Sequence, residues 1–136
     1  PVACERVTAT VRAETSDVEG AESSSGVLVS FLVGSVWTSD QVLCSACGRG
    51  EIAALNTTLD AWPTRLRLRL GGETPGDAWG VRRVDLQHPS LAVPVEVLAT
   101  CFACTPSEGS AAHWVHGGRE GQAYDVPRLQ IPEWLA

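Results

Sequence analysis

The chain has no lysine and no methionine, and only one asparagine, one tyrosine and two phenylalanines among its 136 residues. With lysine absent, all ten cations are arginine, set against sixteen Asp and Glu for a formal net charge of −6. That balance excludes the broad cationic surface on which nucleic-acid binding depends, so no nucleic-acid partner is expected. No apolar run approaches the ~20 residues a membrane-spanning helix requires, so no transmembrane segment is expected. Also missing are a GxSxG elbow, a P-loop and an HExxH pair. No Ser/His/Asp set follows from spacing, and the chain is read as non-enzymatic. A chain that starts at Pro1 rather than at methionine reads as a processed one, short of an initiator, a leader or an upstream part.

What is present is a folding composition. Hydrophobic residues are 44% and charged residues 19%, well outside the disordered range. The length suits one domain with its own core. No stretch places apolar residues at i, i+3, i+4 and i+7 over three turns, whereas strand patterns recur. Residues 6–13 alternate and are rich in β-branched side chains. Residues 26–34 form an apolar strand between two glycines, and Val36-Trp37 and Gln41-Val42-Leu43 are short strands about a turn. Arg65-Leu66-Arg67-Leu68-Arg69-Leu70 alternates strictly, which puts three leucines on a buried face and three arginines on a wet one. Residues 79–86, 93–99 and 111–116 read as further strands, the second weakened by Pro94.

Short strands broken by Gly and Pro predict an all-β, antiparallel sandwich of about eight strands over residues 1–116. Residues 117–136 are expected to be a linker and an extended docking tail. Leu129, Ile131, Trp134 and Leu135 are its candidate partner-docking residues, because a disordered tail seldom carries so many large apolar groups.

The five cysteines are Cys4, Cys44, Cys47, Cys101 and Cys104, the last four as two CxxC pairs 53 residues apart. One reading is disulfides in a secreted or cell-surface protein, with one sulfur left over, either free or joined to another chain. The alternative is a zinc-binding β-domain with two CxxC knuckles that recognises a ligand or protein partner. Spacing alone leaves both open. A redox CxxC is disfavoured, since Gly48-Arg49-Gly50 makes a poor helix start. The one asparagine, Asn56, opens Asn56-Thr57-Thr58, a glycosylation acceptor pattern that agrees with an extracellular location.

The order of these pieces resembles the PLAT (lipoxygenase-homology) domain. It runs from the strand at 7–11, through the acidic loop Asp17-Val18-Glu19-Gly20-Ala21-Glu22, to the apolar strand ending at Gly34. The alternating strand at 66–70, the glycine-rich turn and the Trp79-to-Leu86 strand are also similar to that family, so the resemblance covers roughly residues 4–90. The paired CxxC motifs are not a hallmark of it, and Ala99-Thr100-Cys101-Phe102 is only a loose echo of its closing segment. The resemblance implies a PLAT/C2-like sandwich that attaches proteins to partners or to lipid surfaces. It also implies calcium as a possible cofactor, with Asp17, Glu19 and Glu22 in one loop and Glu73 and Asp77 in another as candidate ligands. Trp37 and Trp62 are candidate exposed aromatics, with Trp62, placed before Pro63 and the Arg/Leu strand, alternatively a core residue; Trp79 is a core residue, and Arg65, Arg67 and Arg69 with Arg82 and Arg83 are a candidate basic face.

Overall fold

The computed structural model describes residues 6–17, 19–23, 25–71, 78–99, 113–117 and 121–127. They contain ten strands and no helix: β1 (Val7–Thr15), β2 (Val27–Val33), β3 (Val36–Trp37), β4 (Gln41–Cys44), β5 (Ile52–Leu59), β6 (Arg65–Leu70), β7 (Ala78–Gln87), β8 (Val95–Ala99), β9 (His113–His116) and β10 (Gln122–Asp125). Two antiparallel sheets share them. In the first the order is β5-β1-β7-β8, with β9 also paired to β7; in the second it is β10-β6-β2-β3, with β4 also paired to β2.

Alternation along the strands sorts side chains between core and surface. Val11 and Ala13 of β1, Val27, Val29 and Phe31 of β2, Leu66 and Leu68 of β6, and Val81, Val84 and Leu86 of β7 turn inward and are essentially sealed from solvent. Their inner faces make one core between the sheets. Trp79, wholly buried, donates its indole N–H to Thr15 Oγ1 at 2.9 Å, so its ring leaves no polar atom unmet. Trp62, expected as a possible exposed aromatic, is 4% exposed, edge-on to His88 at 6.1 Å.

Two strands are additions to the sequence reading. β5 pairs with β1 in unbroken register from Val7↔Leu59 to Glu14↔Ile52. β10 lies within the segment expected to be linker and tail. It pairs with β6 from Gln122↔Leu68 to Asp125↔Arg65, and the Val126 N–H that follows donates to Thr64 O. Val126 itself is buried, so this part of the tail docks on its own sheet. Gly121 makes that docking possible: its φ is +99°, and a Cβ there would lie 2.4 Å from Leu68 O.

Open sheet edges invite pairing with other chains. Here the edges of the two sheets turn toward one another. β4 approaches β5, where Gln41 Nε2 donates to Thr57 Oγ1 at 2.9 Å, and β10 approaches β8 on the opposite side. No helix among the described residues is long and apolar enough to cross a membrane.

Candidate functional site

At one end of the sandwich the loop between β1 and β2 meets the crossover from β4 to β5. Backbone hydrogen bonds hold it. Gly80 N–H donates to Ala21 O, Ser23 and Cys47 exchange N–H···O bonds of 3.0 and 2.9 Å, and Gly50 N–H donates to Thr15 O. Ala21 is fully buried. Gly26, with φ +80°, lets the chain turn into β2 where a Cβ would lie 2.8 Å from Cys44 O. Cys44 and Cys47 are bonded to each other as a disulfide, with Cα atoms 5.7 Å apart. Cys4, Cys101 and Cys104 lie outside the described residues.

Among the described residues the acidic loop does not gather the oxygens of a calcium site. Arg49, on the crossover, donates from Nε to Asp17 Oδ1 at 3.0 Å. Its charge is favoured first by that hydrogen bond, then by the Asp17 charge, and more weakly by Glu22 and Glu19. A guanidinium therefore already stands beside Asp17, whereas calcium needs six to eight converging oxygens. No three His, Cys, Asp or Glu side chains among the described residues come together as a metal would require. Glu73 and Asp77 lie outside those residues.

Asn56 is exposed at the middle of β5, opposite Thr10, whose Oγ1 donates to Asn56 Oδ1 at 2.7 Å. Leu129, Ile131, Trp134 and Leu135 fall outside the described residues.

The arginines divide between two surfaces. Arg82 and Arg83 sit on β7 in the first sheet, while Arg65, Arg67 and Arg69 sit on β6 in the second, so the single basic face expected from sequence does not form. On the first sheet, Arg82 meets Glu14 and Arg83 meets Glu96, both at 3.4 Å. Asp85 stands opposite Arg12 and Glu96, and its half-burial pushes its pKa up against the opposing pull of Arg12 and Arg83. Arg12, Glu14, Ile52, Arg83 and Asp85 line a shallow cleft of about 170 Å³ there.

The outer face of the second sheet is built differently. Register places Val42, Leu28 and Arg69 in one row, Ser30, Arg67 and Ala123 in the next, and Trp37, Leu32, Arg65 and Asp125 in a third. Arg65 pairs with Asp125 at 3.1 Å, and Arg69 pairs with Asp40. Arg67 meets no carboxylate among the described residues. Its Nε donates to Ser30 Oγ at 3.2 Å and its guanidinium carbon lies 4.5 Å from the centroid of the Trp37 ring. Trp37 is thus half-buried beneath an arginine. Sequence alternation placed these arginines on one wet face; the diagonal stacking on Trp37 comes from the β2–β3 hairpin and had no local signal.

No family model matches the sequence, and no curated protein matches it. Solved structures do match in fold. An engineered lipoxygenase variant superposes with a TM-score of 0.63 at 16% identity, covering 90% of this chain and 16% of that one. A lipoxygenase variant in complex with arachidonate gives 0.62 at 16% identity, over 90% and 18%. Coral 8R-lipoxygenase, described as calcium-activated via a C2-like domain, gives 0.61 at 15% identity, over 93% and 18%. The chain spans 16–18% of the length of these lipoxygenases. The fold is the PLAT/C2-like β-sandwich that the sequence resemblance implied.

Proposed function

We propose that this chain is a non-catalytic binding and assembly module of the secreted or cell-surface type, which attaches to a protein partner. The observation that carries this reading is the coverage of the fold match: nearly the whole of this chain corresponds to a small part of each lipoxygenase it resembles. A sandwich of this kind offers outer faces and end loops rather than a deep enclosed cleft, and such surfaces suit recognition better than water-excluding chemistry. The Cys44–Cys47 disulfide and the exposed sequon at Asn56 support an oxidising, extracellular setting. The apolar residues Leu129, Ile131, Trp134 and Leu135 would supply part of the docking surface.

Isolation of the unreduced protein from its native source, followed by native and intact-mass spectrometry, tests this. The expected result is a stoichiometric complex, extracellular labelling of the intact cell or tissue, and a mass lower by two hydrogens for each disulfide. A lone intracellular chain, or one carrying zinc on reduced Cys44 and Cys47, would overturn it.

A further inference from the structure

The second sheet carries a surface whose spacing specifies a ligand. β6 presents Arg65, Arg67 and Arg69 outward while Leu66, Leu68 and Leu70 are buried. Alternate residues of a strand lie about 6.8 Å apart, so the three guanidinium stems form a straight ladder with that repeat. The two outer rungs are already neutralised, Arg65 by Asp125 and Arg69 by Asp40. The central rung is not: Arg67 is held from one side by Ser30 and from beneath by Trp37, with no carboxylate among the described residues. Stacking and the Ser30 bond fix the orientation of the guanidinium, so less side-chain entropy is lost when its remaining N–H groups take an acceptor.

The apolar part of the face points the same way. Leu28 and Leu32 are half-buried in rows beside Arg69 and Arg65, and Val42 is 55% exposed at the margin. An arginine over tryptophan, bordered by aliphatic side chains, has the composition of a protein-binding hot spot. A membrane is a poorer match, because the Trp37 ring is half-buried and stacked against Arg67 instead of standing free to insert.

We infer that the outer face of β6 and β2, centred on Arg67, binds an extended acidic segment of a partner protein that carries a carboxylate at every second residue. In an extended segment alternate side chains fall on one face with the same ~6.8 Å repeat as the arginine ladder. One carboxylate accepts from Arg67, its neighbours accept from the N–H groups of Arg65 and Arg69 that Asp125 and Asp40 do not take, and the intervening side chains point away from the sheet. This inference rests on the binding-module reading and gives that module its surface and the chemistry of its partner.

Two synthetic octapeptides of identical composition test it, one alternating Thr and Glu, the other with four Thr followed by four Glu, titrated calorimetrically against the full chain. Equal net charge cancels the long-range attraction common to both. The alternating peptide should bind about tenfold more tightly, and Arg67→Gln should erase the difference while Arg12→Gln, on the other sheet, leaves it intact. Circular dichroism and melting of both variants establish that each is folded. Equal binding of the two peptides, or a preference that survives Arg67→Gln, would overturn the inference. So would Arg67-dependent binding to phosphatidylserine vesicles without peptide binding, or Arg67-dependent dimerisation without it; these would assign the face to a membrane or to a second copy. If the peptides fail while the native complex persists, the surface assignment falls and the binding-module reading stands. If the native complex is also absent, both fall.

Discussion

Trp79 shows how a single residue ties the two sheets' shared core to the acidic end of the molecule. Its ring is sealed in the core and its N–H is satisfied by Thr15 at the end of β1, next to the loop that begins at Ser16. Thr15→Val removes the acceptor and leaves a buried indole N–H unpaired, which should cost about 1–3 kcal/mol in urea unfolding. Trp79→Ala should cost more, ~3–5 kcal/mol, because it opens a cavity. Asp85 gives a pH-dependent prediction. Burial raises its folded-state pKa above the ordinary 3.8, so the native state holds that proton more tightly than the unfolded chain does. Its contribution is most favourable below pH 3.8 and declines as pH rises through the folded-state value. Asp85→Asn should therefore raise the urea midpoint at pH 7, with the gain shrinking toward pH 3; a loss at pH 7 would contradict this. At the acidic loop, the Arg49–Asp17 pair predicts that millimolar calcium and a chelator give the same melting temperature to within about 1 °C, since a cation already sits beside Asp17. Little of this residue-scale detail was legible in the sequence. Asp17, Glu19 and Glu22 could be seen, but Arg49 is 32 residues from Asp17 and only the crossover brings them together.

Among the elements, legibility followed how far each strand declares its own faces. β6 alternates leucine and arginine without a fault, and β1, β2 and β7 carry enough β-branched residues between polar or glycine breaks to be read directly. β5 was hidden because Ile52-Ala53-Ala54-Leu55-Asn56-Thr57-Thr58-Leu59 runs from apolar to polar with small residues on both faces, leaving no period of two. Its pairing with β1 over eight positions fixes it instead. β10 was hidden for a different reason. Four residues after a glycine-rich stretch have weak intrinsic preference, and their conformation is imposed by the free edge of β6. Gly121→Ala is the corresponding test. The added Cβ meets Leu68 O in a backbone conformation that alanine rarely adopts, so the substitution should destabilise by about 1–3 kcal/mol. An unchanged melting curve would mean that β10 does not hold the register described.

At the scale of the whole molecule, one end carries the disulfide and the Arg49–Asp17 pair, and the two outer faces differ in kind. The first sheet's face pairs Arg82 with Glu14 and Arg83 with Glu96, while on the second Arg67 meets no carboxylate among the described residues. Among the described residues β4 approaches β5 and β8 approaches β10, so these edges are partly covered, which favours association through side-chain surfaces over strand addition. The sandwich was foreseeable from strand count and alternation. Its division of the arginines between two sheets was not, because chain order does not reveal which strand joins which sheet. The central proposal is that this is an assembly module in which Leu129, Ile131, Trp134 and Leu135 serve a partner rather than the fold. Native mass spectrometry of the complex formed by the full chain, beside that formed by a chain ending at Pro127, tests it most directly. The account predicts equal melting temperatures, a stoichiometric complex for the full chain and a loss of most of it for the shortened one. Undiminished assembly by the shortened chain would contradict it.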